Sequence, residues 1–110
     1  MLNQIVLVGR LTSDPEVKEL EEGKKYCYIT LAVPRSFKNA NGEYDTDFVQ
    51  LKLWNSIAEN TTEYCHKGDL IGAKGRIQTY SVENEDGTKE NKMELIAEKI
   101  TFLTSKSKEE

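Results

Sequence analysis

Apolar and polar residues alternate with a period of two along most of this chain, the spacing that sends successive side chains to opposite faces of a β-strand. Residues 3–12 are apolar and β-branched on both faces, with Ile5 and Leu7 on one and Val6 and Val8 on the other, which predicts a strand covered on both sides. Residues 24–34 predict a second strand, with Cys27, Ile29, Leu31 and Val33 on its apolar face and Tyr26, Tyr28, Thr30 and Ala32 on the other. Pro34 has no N–H to donate and should limit further regular pairing. Asn39-Ala-Asn-Gly42 supplies the residues of a hairpin loop, and residues 46–54 make the third strand.

The period changes after Trp54. Ile57, Ala58, Thr61, Tyr64 and Cys65 share one face at helical spacing, with Asn55 or Ser56 as the N-cap. His66-Lys67-Gly68 should end this helix, the basic residues suiting the negative end of its dipole and the glycine a left-handed closing residue. That accounts for the lone histidine without chemistry. Residues 69–82 predict a long fourth strand, residues 84–87 a turn, and residues 89–102 a fifth strand whose alternation slips at Ala97 and Glu98, where a bulge is expected. An all-β chain of five strands with one helix between the third and fourth has the element order of the Greek-key oligonucleotide-binding (OB) barrel. That barrel hosts several functions, so function must be argued from the residues it displays.

The 110 residues suit one domain, placed at residues 1–103, followed by a polar end at 104–110 that should fray. With 37% hydrophobic and 31% charged residues the surface is wet, and no apolar run approaches the length of a membrane span. The N-terminus shows no basic segment followed by an apolar one, so a cytoplasmic location is expected. Cys27 and Cys65 lack CxxC spacing and read as free thiols acting as small buried hydrophobes. One histidine, no metal-ligand cluster, no phosphate-cradling glycine loop and no nucleophile with a recognisable base argue against an enzyme and against a cofactor.

The net charge of −4 runs against the basic footprint usual for nucleic-acid-binding domains. Its distribution answers part of that objection. Acids cluster at residues 14–22, 43–47 and 83–90, whereas Lys52, Lys74 and Arg76 fall in regular strands, and such separation leaves room for a local basic face. In the third strand Val49, Leu51 and Leu53 share the core face, and Phe48, Gln50, Lys52 and Trp54 share the other. Two aromatics flanking an amide and a cation make a poor core but a workable platform for flat bases beside a charged backbone, and the stretch rises roughly 20 Å at about 3.3 Å per residue. The fourth strand repeats the arrangement, with Lys74, Arg76, Gln78 and Tyr80 opposite Ile71, Ala73 and Ile77. Arg35, Phe37 and Lys38 at the start of the long loop add a cation, an aromatic and a cation.

Cations meet phosphates anywhere along a strand and aromatic faces accept any base, so the pattern predicts sequence-tolerant binding of unpaired nucleic acid. Spacing alone fits a subunit contact or a loop cover for Phe48 and Trp54 equally well. A protein-binding accessory barrel and an RNA-binding barrel share these features, because stacking and phosphate contacts do not read a 2′-hydroxyl. One small barrel cannot take both faces of the first strand. Among Ile5, Val6, Leu7 and Val8, one pair needs cover from the helix, a loop or a second copy of the chain.

Several ordered motifs resemble the bacterial single-stranded-DNA-binding protein family of homotetrameric type. They are Asn3-Gln-Ile-Val-Leu-Val-Gly-Arg-Leu-Thr-Ser-Asp-Pro15, Ile29-Thr-Leu-Ala-Val33 with Arg35-Ser-Phe37, Thr46-Asp-Phe-Val-Gln50, Trp54, Ala58-Glu-Asn60, Lys67-Gly68 and Gly75-Arg-Ile-Gln-Thr79. The resemblance covers residues 1–103. It implies an OB fold that protects unpaired DNA in replication, recombination and repair, a homotetramer built as a pair of dimers, a nucleoid-associated cytoplasmic location, and base stacking at the positions of Phe37, Phe48 and Trp54. The family also stacks an aromatic at the position matching Val82, where Tyr80, two residues earlier on the same face, is the available substitute. Tyr28 stands where a small polar residue is common. The linker and acidic tip through which family members recruit replication and repair proteins have no counterpart in these 110 residues, so recruitment by such a tip is not implied.

Overall fold

A computed structural model describes residues 1–104. Its elements are β1 (Ile5–Leu11), β2 (Lys18–Glu19), β3 (Lys25–Lys38), β4 (Tyr44–Trp54), α1 (Asn55–Tyr64), β5 (Leu70–Glu83) and β6 (Lys89–Thr104). The strands form one sheet in the order β1-β5-β6-β4-β3-β2, which a second pairing of β1, to β3, closes into a barrel. β1, β3, β4, β5 and β6 are the five strands read from the sequence, with the helix between the third and fourth of them as expected. β2, two residues paired to Lys25 and Tyr26, is too short to leave a periodic signal. Of the expected polar end, Thr104 closes β6 opposite Leu70, and residues 105–110 lie outside the described residues.

Alternation predicts the core correctly. Cys27, Ile29, Leu31, Leu51, Leu53, Ile71 and Ala73 are buried, joined from the helix by Ala58 and just beyond it by Cys65. Full burial of each large aliphatic side chain contributes roughly 1.5–3 kcal/mol. Ile5 and Leu7 pack against this core, whereas Val6 and Val8 point outward, 68% and 49% exposed. Within one protomer β1 is therefore covered on one face only. Before Ile5, the Asn3 side chain stands in for a strand pair: its Nδ2 donates to the Ile77 carbonyl at 2.6 Å, and its Oδ1 accepts from the Ile77 N–H at 2.9 Å.

The expected slip at Ala97 and Glu98 is a bulge. Lys74 faces Lys99, but the next residue, Gly75, faces Ala97, so Glu98 is the extra residue. Gly75 is required there because a β-carbon would run into the Ile96 backbone as the strands bend around the barrel. β3 continues through Pro34 to Lys38, with regular pairing ending at Pro34–Thr46 and a register shift before Lys38–Tyr44. Pro34 thus ends the regular ladder without ending the strand.

The helix ends depart from expectation. Trp54 is the N-cap and gives no side-chain cap, while the Asn55 side chain accepts the Lys25 N–H at 3.2 Å instead. The helix stops at Tyr64, before the basic residues. Gly68, at φ 93°, serves a separate turn in which the Asp69 N–H donates to the His66 carbonyl. Tyr64, expected on the buried face, is 59% exposed with its ring centroid 6.0 Å from that of Phe102. Being last in the helix, it overhangs the edge of the core.

Candidate nucleic-acid interface

The outer face of the barrel is read from its ladders. One rung carries Tyr28 on β3, Lys52 on β4, Ile96 on β6 and Arg76 on β5. Lys52–Ile96 is the one β4–β6 pair among the described residues, and the two hairpins part beyond it. On the β3–β4 side the next outward positions are Gln50, then Phe48; on the β5–β6 side they are Glu94 beside Gln78, then Lys92 beside Tyr80. A cleft of about 560 Å³ opens between them, lined among others by Tyr28, Asp47, Phe48, Gln50, Lys52, Tyr80, Met93 and Glu94. The loss of pairing that creates the cleft also exposes the rings, since no strand covers them.

The two aromatics expected on β4 differ in setting. Phe48 is 69% exposed opposite Ala32, whose small side chain leaves the ring face clear. Trp54 is half-buried at the other end of the strand, its ring centroid 5.9 Å from Tyr26. Tyr26 in turn meets Tyr28 edge to face at 6.0 Å. The Lys52 ammonium sits among all three rings, 4.3 Å from the centroid of Trp54, 5.2 Å from Tyr26 and 5.5 Å from Tyr28, within cation–π range of each. Tyr26 and Glu94 were not singled out from sequence. Tyr26 shares the outward face of its strand with Tyr28, but its partner Trp54 cannot be found by counting back from the turn, because the register shift after Pro34 offsets the count.

Arg35, Arg76 and Lys38 are engaged within the protein. Arg35 grips Asp47 with two hydrogen bonds, Nε to Oδ2 at 3.1 Å and Nη2 to Oδ1 at 3.0 Å, and lies 3.8 Å from Asp45. That hydrogen bonding holds the Asp47 carboxyl below its usual range and raises Arg35 further. Arg76 Nη1 donates to Gln78 Oε1 at 2.7 Å, and its Nε is 3.4 Å from Glu98. Lys38 lies 5.9 Å from the Tyr44 ring centroid, and Phe37 is exposed on the same arm of β3. Lys74 is exposed opposite Val6 and Lys99, on the stretch of β5 that pairs with β1, so it stands beside the apolar β1 face and away from the cleft.

Tyr80 lines the cleft, while Val82 lies farther out on the β5–β6 arm opposite Glu90. Across the cleft, the Tyr28 hydroxyl donates to Glu94 Oε2 at 3.0 Å. Partial burial, then this hydrogen bond, pushes the phenol up to about 12. The surface thus offers exposed ring faces at Phe48 and Tyr80, a caged ammonium, and carboxylates that already hold donors. It can take flat, unpaired rings, and it meets a polyanion by exchanging internal partners for phosphates.

Comparison with known proteins agrees with this geometry. The chain is 49% identical over 109 residues to single-stranded DNA-binding protein B of Bacillus subtilis, covering 99% of this chain and 96% of that protein. It is 45% identical over 106 residues to single-stranded DNA-binding protein 3 of Listeria innocua, covering 96% and 66%. It is 41% identical over 110 residues to a single-stranded DNA-binding protein of Lactiplantibacillus plantarum, where it spans 55% of that protein's length. Residues 2–103 match the single-strand binding protein family from just before β1 almost to the end of β6, and the chain belongs to that family.

Proposed function

We propose that the chain binds single-stranded DNA without marked sequence preference, laying it along the cleft between the β3–β4 and β5–β6 hairpins. The observation that carries this reading is the pair of exposed rings, Phe48 and Tyr80, on the walls of a cleft that opens from the rung holding Lys52 and Arg76. Stacking on one ring is worth about 1–3 kcal/mol per base and tolerates any base. Duplex DNA hides those faces, so unpaired strands are preferred. In the cell this chain would coat unpaired DNA during replication, recombination and repair in the cytoplasm, as a homotetramer in which the outward Val6 and Val8 face of β1 meets another copy. Phe37, Arg35 and Lys38 would extend the path beyond Phe48, and no cofactor is needed.

The test is titration with oligo-dT while following tryptophan fluorescence, since Trp54 is the only tryptophan. Saturable quenching is expected, with oligo-U binding more weakly at matched salt. Absence of both quenching and binding would turn the reading towards a protein-interaction barrel.

The internal pairing of the cations has its own measurable consequence. Binding to a single strand weakens with salt by about 0.7 in log–log slope per phosphate neutralised. Arg35 contributes less than a full contact while Asp47 holds it. Asp47→Asn should therefore raise affinity at low salt and steepen the slope by up to about 0.7. An unchanged slope in this variant would mean that Arg35 does not reach the DNA.

A further inference from the structure

Lys52 differs from the arginines of this surface in what surrounds its charge. Arg35 and Arg76 lie against the carboxylates of Asp47 and Glu98, and a phosphate must compete with those partners. None of the ion pairs among the described residues includes Lys52. Its neighbours are rings instead, and the ladder register puts them there. Lys52 faces Tyr28 and Trp54 faces Tyr26 across β3 and β4, and residues two apart on a strand share a face, so the four side chains form one outward block. The ammonium stands 4.3 Å from the ring centroid of Trp54, 5.2 Å from that of Tyr26 and 5.5 Å from that of Tyr28.

A ring face attracts an ammonium through its quadrupole and leaves the net charge in place, whereas a carboxylate cancels it. An unconstrained lysine also samples many rotamers, and ordering its flexible stem on a phosphate lowers affinity. Here three rings already hold the stem's end, on a half-buried residue that lines the cleft beside Tyr28. Tyr28 is itself fixed, its hydroxyl donating to Glu94 Oε2 at 3.0 Å. We propose that Tyr26 and Tyr28 are positioning residues for single-stranded DNA, which with Trp54 hold the Lys52 ammonium in place, its charge uncompensated, for a phosphate of the bound strand. Such a device reads the backbone and leaves the choice of base open. The proposal rests on the cleft being the single-stranded DNA site.

The test measures affinity for end-labelled oligo-dT by fluorescence anisotropy across a salt series. Lys52→Met keeps most of the stem and removes the charge, so the log–log slope should flatten by about 0.7, and by more than in Arg76→Met. Tyr28, 42% exposed, can be changed without disturbing the core. Tyr28→Leu removes the ring but not the ammonium, and should weaken binding about three- to tenfold, the range for ordering one long side chain, with the slope unchanged. Tyr28→Phe restores the ring without the bond to Glu94 and should recover most of that loss. Once Lys52→Met is present, adding Tyr28→Leu should weaken binding no further; Tyr26→Leu and Tyr26→Phe are read in the same way. An equal loss in the Lys52→Met background would mean that the ring meets DNA itself or supports the fold, and would overturn the proposal. So would an unchanged slope in Lys52→Met, or a Tyr28→Phe protein as weak as Tyr28→Leu, which would assign the effect to the hydroxyl and Glu94. If the unmodified protein does not bind oligo-dT, the reading of the cleft itself fails, and this proposal with it.

Discussion

Alanine at Phe48 is expected to weaken oligo-dT binding by about 1–3 kcal/mol while leaving folding stability within about 0.5 kcal/mol. The separation follows from where the ring sits. Phe48 is 69% exposed, faces only Ala32 across the ladder and belongs to no aromatic pair among the described residues, so little of the fold depends on it. Trp54→Ala makes the contrast. It removes a half-buried ring that packs on Tyr26 and helps cage the Lys52 ammonium, so it should lower both the melting temperature and the affinity. Oligonucleotide titration beside a thermal melt separates the two variants. Undiminished affinity in a folded Phe48→Ala protein would remove that residue from the site.

The outward setting of Phe48 was legible, because a large aromatic on the polar face of an alternating strand lies away from the core, but spacing alone left a subunit contact or a loop cover equally open. The same logic found Leu51, Leu53 and the bulge at Glu98, each set by strand period alone. What stayed illegible depends on which strands lie side by side. Lys74 and Arg76 are two apart on one strand face, yet β1 lies beside the first and the β4–β6 rung leads to the second, so one flanks the apolar face and the other the cleft. Partner exchange is equally invisible from spacing: Arg35 and Asp47 come together only because β3 continues past Pro34 alongside β4. The helix ends misled for a local reason. Asn55 has the chemistry of a cap, but its side chain is drawn to the Lys25 N–H at the end of β3, and Gly68 is used one turn later.

The face of β1 carries the second large effect, and Val6→Glu is the variant that isolates it. Val6 and Val8 are exposed on a strand that, from Ile5 to Gly9, pairs only with β5 among the described strands, so both a side-chain face and a backbone edge are open to another copy. Lys74 stands directly opposite Val6, so a glutamate there gains a cation neighbour in the isolated protomer and should not disturb its fold. Against another copy the same glutamate, and the Lys74 ammonium beside it, must be desolvated, which costs several kcal/mol per ion and is offset only in part by their mutual attraction. A two-fold interface contains the position twice, so the penalty is doubled. Assembly is therefore expected to give a tetramer by light scattering at micromolar concentration for the unmodified protein and smaller species for Val6→Glu. Strands long enough to cross several barrels should then lose about 10²-fold or more in affinity, because contacts that were effectively intramolecular become separate events. An oligonucleotide that fits one cleft should bind both proteins alike, and the footprint on long strands should shrink with the mass. A monomeric unmodified protein that binds long strands at full strength would sink this account of assembly, as would a dissociated variant with an undiminished footprint.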